Sequence, residues 1–349
     1  MLLTASEVAR LAGGTCVGPD VAVEGASIDS RTVAPGQLFV PVVAERDGHR
    51  FIADALARGA TAYLTAQDPV GGTAVVVADT SRALLELTGA VRDRLPPTVV
   101  AITGSVGKTT VKDLAAAALG AGLVVHATPA SFNNELGVPL TVLATPEGAD
   151  ALVVEMGARH PGDLALLTGL VPPTIGIITS IGTAHLEHLG GREGVRREKG
   201  SLIVGLPATG WAILHDADCG PDVRARTRAS VLTYGADRGD VRATLVERDA
   251  ELRPTVRFTT PWGATTVRLA VRGDHQLSNA AAALAAAVCA GVPLEAAAEG
   301  LAGATGSAGR SQRRTSATGL VVLDDAYNAN PTSMAAALRA LAAMPGGRR

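Results

Sequence analysis

The chain has 349 residues with 31 basic and 33 acidic side chains, a formal net charge of -2: too long for one ordinary core, and without the basic field that holds nucleic acid. Its three cysteines, Cys16, Cys219 and Cys289, stand far apart with no metal-type spacing, so neither a disulfide framework nor a zinc site is indicated and a reducing cytoplasm is expected. The opening MLLTASEVARLAGG puts Glu7 and Arg10 where a signal peptide needs its apolar run, and no stretch approaches the roughly 18 apolar residues of a membrane span, so a soluble cytoplasmic protein without membrane insertion is expected; a monomer is the expected assembly state.

Residues 1–97 alternate short strands and helices through ASIDSRTVAPGQLFVPVV, RFIADALARGATAYLT and TAVVVAD. They close on the Pro pair of RLPPTVV, which reads as a linker after a small N-terminal α/β domain. From Thr98 the pattern turns to repeated strand then helix: TVVAIT, TVKDLAAAALGAG, LVVHAT, ELGVPLTVLA, ALVVEM, GDLALLTGL, TIGIITSI, a helix near Gly194 to Val204, and WAILHD. Apolar strands alternating with helices predict a doubly wound, mostly parallel sheet in a central domain over 98–309. ATLVERDAELRPTVRFTTPWGATTVRLAVRG reads as antiparallel strands, and SNAAAALAAAVCAG as an Ala-rich helix followed by another. Residues 310–349 open a third segment with a strand, LVVLDDAY, and a helix, SMAAALRALAAM. One strand and one helix cannot bury a core of their own, so this segment is expected to be an incomplete domain or to pack on its neighbour.

The central domain begins with AITGSVGKTT, Ala101 to Thr110. A Gly-rich turn between a strand and a helix start presents free N–H groups and the positive end of the helix dipole to an anion. Gly104, Ser105 and Gly107 would line the turn, Lys108 would reach the terminal phosphates of ATP or GTP, and the Thr109 hydroxyl would hold Mg2+, with Thr110 beside it. The fit to G-x-x-x-x-G-K-[ST] is imperfect, because Ile102 stands where the first Gly belongs. This is a variant phosphate loop.

Only Lys108, Lys112 and Lys199 are lysines; the other 28 of the 31 basic residues (31 - 3) are Arg. In an Ala-, Gly- and Arg-rich chain a surface cation drifts to Arg, so a retained Lys marks a need for an amine, which can act as a point charge on phosphate or be chemically modified. Lys112, four residues along the helix, reads as an ordinary solvated face. Two further strand ends carry polar groups: ALVVEMGA ends with Glu155, and TIGIITSIGTAHLEHLG leads into a loop with His185, Glu187 and His188. Ligands of doubly wound sheets sit beyond the carboxyl ends of the strands, so Glu155 and His185 are candidate metal ligands facing the phosphate loop. Glu187 and His188 read as structural.

These residues together resemble the Mur ligases of peptidoglycan assembly. The motifs that carry the resemblance are DSRTVAPGQLFV, DGHRFIADALARGA, TGSVGKTT, SFNNELGVPLTVL, EMGARHPGDL, TSIGTAHLEHLG, REKGSL, GDHQLSNAAAA and DDAYNANPTSMAAAL, and they span essentially the whole chain. DDAYNANP is similar to the signature of the dipeptide-adding member, whereas the DNPR motif typical of the diamino-acid-adding member is not visible. The resemblance implies an N-terminal domain for a UDP-sugar peptide, a central ATP domain and a Rossmann-like C-terminal domain, the last incomplete over 310–349. It implies ATP-dependent amide formation through an acyl phosphate, joining D-alanyl-D-alanine to UDP-N-acetylmuramoyl-tripeptide.

By that resemblance Lys108, Thr109 and Thr110 belong to the phosphate loop, Glu155 and His185 ligate metal, and Lys199 is the carbamylated lysine, able to bind a second Mg2+. Asn279 would contact adenine, Arg310 phosphate and Asp325 ribose. Ser30 and Arg31, with Asn133 and Asn134, would contact the UDP-sugar. The family's third domain is longer than residues 310–349, which implies that this chain alone binds nucleotide but ligates poorly. Other readings stay open: another amide ligase of the same family, a plain P-loop NTPase or kinase, or a nucleotide-binding protein without turnover.

Overall fold

The structure is a computed structural model that describes residues 1–182 and 186–344. Its contacts divide the chain into two compact units. The first comprises Met1–Pro96, Phe132–Ala149 and Leu166–Pro172; the second comprises Pro97–Ser131, Asp150–Ala165 and the chain from Pro173 onward. This division departs from the linear boundaries read off the sequence in three places, one of them the grouping of Leu166–Pro172 with the first unit. The helix Gly137–Leu143, expected in the central run, packs on the strand Ala26–Ser27 and the helix Thr80–Ala90 of the first unit. The segment after Gly309 groups with the second unit and forms no unit of its own.

The first unit is built on a five-stranded sheet in the order Thr15–Val17, Thr73–Val76, Ala62–Thr65, Leu38–Phe39, Ala26–Ser27, parallel except at its first pair. Phe39, Ile52, Tyr63 and Ala74 form its core. Its first helix, Ala5–Leu11, starts where it does because Thr4 and Glu7 close a capping box: the Glu7 N–H donates to the Thr4 hydroxyl at 3.2 Å and the Thr4 N–H to the Glu7 carboxylate at 2.8 Å.

A nine-stranded sheet organises the second unit, in the order Gly263–Arg268, Pro254–Thr260, Val241–Arg248, Ser230–Gly235, Trp211–His215, Ile175–Ile178, Thr98–Thr103, Ala151–Glu155, Val125–Ala127. The strands from Val125–Ala127 through Val241–Arg248 pair in parallel, and the last two pairings are antiparallel. Continuous apolar runs such as ALVVE and IGII are buried on both faces, as an interior parallel strand requires. The helices Lys108–Leu119, Gln276–Cys289 and Leu294–Gly303 pack together over one core, in which every residue from Ala280 to Ala287 is wholly buried. Alanine adds little bulk there, so Gln276–Cys289 can lie close against Lys108–Leu119.

The C-terminal segment differs from the expected single strand and helix. Gln312–Thr315 pairs antiparallel with Val321–Asp324, and the helix Pro331–Ala343 follows, its start fixed by an Asn330–Ser333 capping box. Polar QRRT carries no apolar alternation, which is why its strand could not be read from the sequence.

Candidate functional site

The strand Thr98–Thr103 feeds a tight loop, and the helix Lys108–Leu119 leaves it. Two glycines make that loop possible. Gly104 has φ +148° and a Cβ there would meet the Thr179 hydroxyl oxygen at 2.0 Å; Gly107 has φ +88° and a Cβ there would meet Asn279 Oδ1 at 2.8 Å. Both positions combine a left-handed or otherwise strained backbone with a neighbour that leaves no room for a side chain. The turn that a standard phosphate loop begins at its first glycine thus starts at Gly104, while Ile102 stays wholly buried in the strand.

The loop is braced from the end of the next strand. The Ser105 N–H donates to the Ser180 carbonyl at 3.0 Å, the Val106 N–H donates to Ser180 Oγ at 2.9 Å, and Thr179 Oγ1 donates to the Val106 carbonyl at 2.5 Å. Ser105 Oγ in turn accepts the Gly182 N–H at 2.9 Å. Thr179 and Ser180 were not singled out in the sequence, although they lie in the TSIGTAHLEHLG run. Parallel pairing sets Glu155 opposite Ile102 and Ile178 opposite Thr103, so these strand ends share one edge of the sheet with the loop. Glu155 is buried, and its N–H donates to Thr128 Oγ1 at 3.1 Å. His185 lies outside the described residues.

Two of the three lysines lie close enough at this edge for the charge of Lys108 to act on Lys199. Lys108 donates to the Gly104 carbonyl at 2.9 Å, bending back over the loop it follows. Burial lowers its pKa from the ordinary lysine value and the nearby Arg310 guanidinium lowers it further, while Glu155 acts in the opposite sense. Lys199, on the helix Gly191–Val204, is 2 % exposed, and burial, reinforced by the charge of Lys108, brings its pKa down to about 7. Glu198 beside it is also buried and accepts the Gly162 and Leu164 N–H groups, each at 2.9 Å, which ties the loop after Glu155 to this helix.

Lys112 corrects the sequence reading. It is 4 % exposed, not solvated: its Nζ donates to the Thr128 carbonyl at 2.8 Å and the Ala130 carbonyl at 3.0 Å and pairs with Asp113 at 2.7 Å. Ala130 sits at φ +49°, so the ammonium holds a loop that turns through a conformation unusual for alanine.

Arg310 Nη2 donates to the Thr109 hydroxyl at 2.8 Å, at the head of the phosphate-loop helix. Asp325 Oδ1 accepts the Ser311 N–H at 2.8 Å, and Asn279 Nδ2 donates to Gln276 Oε1 at 2.9 Å beside Gly107. Thr109 and Thr110 are buried. Ser30, Arg31 and Asn134 belong to the first unit, as does Asn133. Ser30 is buried, exposed Arg31 makes a bidentate pair with Asp29 at 2.9 and 2.7 Å, and Asn134 caps the helix Gly137–Leu143 by accepting the Gly137 N–H at 3.0 Å. Among the described residues no group of three or more His, Cys, Asp or Glu side chains is placed to hold a metal ion, and no helix is long and apolar enough to cross a membrane.

A parallel sheet whose strand ends carry a glycine-bound loop, a lysine and a threonine at a helix start defines a phosphate-binding α/β unit of the P-loop kind. Residues 102–287 match the Mur ligase middle domain. The UDP-N-acetylmuramoyl-tripeptide--D-alanyl-D-alanine ligase of Mycobacterium tuberculosis is 39% identical over 377 residues, covering 97% of this chain and 73% of the relative. The enzyme of the same name from Escherichia coli K12 is 36% identical over 355 residues, covering 99% of this chain and 78% of the relative. Among solved structures, MurF from Acinetobacter baumannii superposes with a TM-score of 0.87 at 33% identity over 98% of this chain and 77% of that one. MurF ligase from Thermotoga maritima, solved in complex with ADP, gives 0.79 at 31% identity over 93% and 76%. The chain belongs to the Mur ligase family, and it is a ligase.

Proposed function

We propose that this chain joins D-alanyl-D-alanine to UDP-N-acetylmuramoyl-tripeptide at the expense of ATP, the reaction in the names of its relatives. The observation that carries the reading is the meeting of Lys108 with a glycine-bound loop and the helix start of Thr109, in a chain matched over nearly its full length by those relatives. ATP is the nucleotide, consistent with ADP in the solved Thermotoga maritima relative. In this reading residues 1–97 bind the UDP-sugar through Ser30 and Arg31, with Asn133 and Asn134 adding to that site. Residues 98–309 bind ATP, and residues 310–349 open a C-terminal ligase domain that supplies Arg310 to phosphate and Asp325 to ribose. The chain works as a cytoplasmic monomer.

The chemistry follows from the groups at hand. A peptide carboxylate is a poor electrophile; its oxygen attacks the ATP γ phosphorus, the bond to the bridging oxygen breaks, and ADP leaves an acyl phosphate. The dipeptide amine then attacks the acyl carbon, and inorganic phosphate departs as the amide forms. Lys108 offsets charge on the transferring group, and the N–H groups of Gly104 to Gly107 hold the phosphates while Asn279 contacts adenine. Thr109 and Glu155 offer the hard oxygen donors that Mg2+ prefers and would hold it, with His185 a further candidate. Mg2+, when bound, neutralises developing phosphate charge. Lys199, its pKa brought down to about 7 by burial, has a neutral-amine fraction near neutral pH that would add CO2 with loss of a proton, and the resulting carbamate would hold a second ion.

Phosphate release from ATP, measured with the UDP-sugar peptide, D-alanyl-D-alanine and Mg2+ each omitted in turn, tests the reading. Release that needs all of them is expected; release that proceeds without the dipeptide would make this an NTPase, and the proposal would fall.

A further inference from the structure

Residues 307–327 meet the phosphate-loop helix at two points. The Ser307 hydroxyl donates to the Asp113 carboxylate, and Arg310 Nη2 donates to Thr109 Oγ1 at 2.8 Å. A third tie runs through Tyr327, whose hydroxyl is hydrogen-bonded to that of Ser131, on the loop that Lys112 fixes through Thr128 and Ala130. The Tyr327 N–H also donates to the Gly309 carbonyl at 3.1 Å, which sets its ring beside Arg310. There the Arg310 guanidinium carbon lies 4.3 Å from the ring centroid.

What holds Arg310 is unusual for a guanidinium at a buried edge. Among the described residues no carboxylate pairs with it, its Nε is buried without a hydrogen-bond partner, and its one side-chain acceptor is the neutral Thr109 hydroxyl. A guanidinium carries five N–H donors in a fixed fork, and an Asp or Glu partner would occupy the same edge that an anionic ligand needs. An aromatic face holds the cation differently. It fixes the plane of the guanidinium by electrostatic attraction to the ring and leaves the donor edges open.

We propose that Tyr327 is a positioning residue for nucleotide phosphate: its ring holds Arg310 with the N–H edges free for phosphate oxygens, and its hydroxyl bond to Ser131 fixes the ring. This deepens the nucleotide reading above and rests on it. The side chain is half exposed and covers no core, so its role lies in holding Arg310.

Binding of ATP, ADP and adenosine by titration calorimetry, with thermal unfolding in parallel, tests this on the chain as it exists. Tyr327→Leu is expected to raise the dissociation constants for ATP and ADP by roughly threefold to thirtyfold, the span a cation–aromatic contact provides, and to leave adenosine unchanged. Tyr327→Phe keeps the ring and should stay within about threefold of the parent. The deciding arm is the double variant: in an Arg310→Met background, Tyr327→Leu should have no further effect on ATP. Equal losses in both backgrounds, equal losses for adenosine and ATP, or a lowered melting temperature with unchanged affinity would each overturn the inference while leaving the nucleotide reading intact. A parent chain that binds no ATP would overturn both.

Discussion

Lys199 and Arg31 are both basic side chains with proposed roles at ligand sites, and they are held in opposite ways. Lys199 is 2 % exposed and carries a pKa brought down to about 7 by burial and a neighbouring amine. Arg31 has 83 % of its side chain exposed and is paired fork to fork with Asp29, whose carboxyl that pairing holds at about 2. The first arrangement stores an unfavourable interaction that an anion would relieve; the second is already satisfied by its neighbour and screened by water. A site that must change the charge state of a substrate is built the first way. A surface that only has to orient a ligand can be built the second way.

Substitutions at four positions break or sharpen that contrast. The largest effect is expected at Lys108: Lys108→Met should cut ligand-dependent phosphate release by roughly 10²- to 10³-fold, the usual loss when a preorganised transition-state charge is removed, and a near-normal rate would refute its role.

Lys199 should next show itself through pH. Its folded pKa is depressed below the unfolded value, so the unfolded chain binds more protons between about pH 7 and pH 10.5, and stability rises with pH across that window. Urea unfolding should therefore show a gain on the order of 2–4 kcal/mol from pH 7 to pH 10.5 that Lys199→Met lacks. Parallel slopes for the two proteins would mean that the amine is not held as described. Carbamylation has its own readout: added bicarbonate should raise turnover of the parent and leave Lys199→Arg unmoved.

Lys112→Met should cost about 3 kcal/mol of stability, since it strands the Thr128 and Ala130 carbonyls and leaves the Asp113 carboxylate with Ser307 but no cation, and Lys112→Arg should not restore it. Denaturant midpoints decide the matter, and a change too small to resolve would return Lys112 to the solvated face. Arg31→Ala is expected to have the smallest effect: an unchanged urea midpoint, a rise in the Asp29 pKa from about 2 toward the ordinary 3.8, and weaker UDP-sugar binding. A lowered midpoint would show that the pair is structural after all.

Much of the phosphate side was legible because its signals are local. A strand, glycines, Lys108 and Thr109 fall within ten residues, and Glu155 could be placed because a parallel strand ends where its apolar run ends. Lys112 was misread because its spacing from Lys108 is that of any helix face; what buries it arrives from the loop at residues 128–131, which no periodicity announces. Glu198 and Tyr327 were missed for a related reason. Glu198 caps N–H groups 34 and 36 residues away in sequence, and Tyr327 stands in the quoted DDAYNANP run as an ordinary aromatic until its ring is seen against Arg310. The helix Gly137–Leu143 follows a strand in the expected rhythm yet belongs to the first unit, because its apolar face fits Ala26–Ser27 and Thr80–Ala90, a choice made by tertiary packing and invisible to pattern.

The cysteines give the molecule a practical handle. Cys219 is wholly buried and its thiol is pushed up to about 12; Cys289, partly covered by the helices around it, is raised to about 12 as well. Thiolate, the form that alkylating reagents attack, is therefore scarce at both near neutral pH. Cys16 stands apart, half-buried on the edge strand Thr15–Val17 of the first unit's sheet. A maleimide dye mixed briefly with the native protein would thus mark one position without any engineering, and its emission would report on the first unit while the phosphate cradle stays unlabelled.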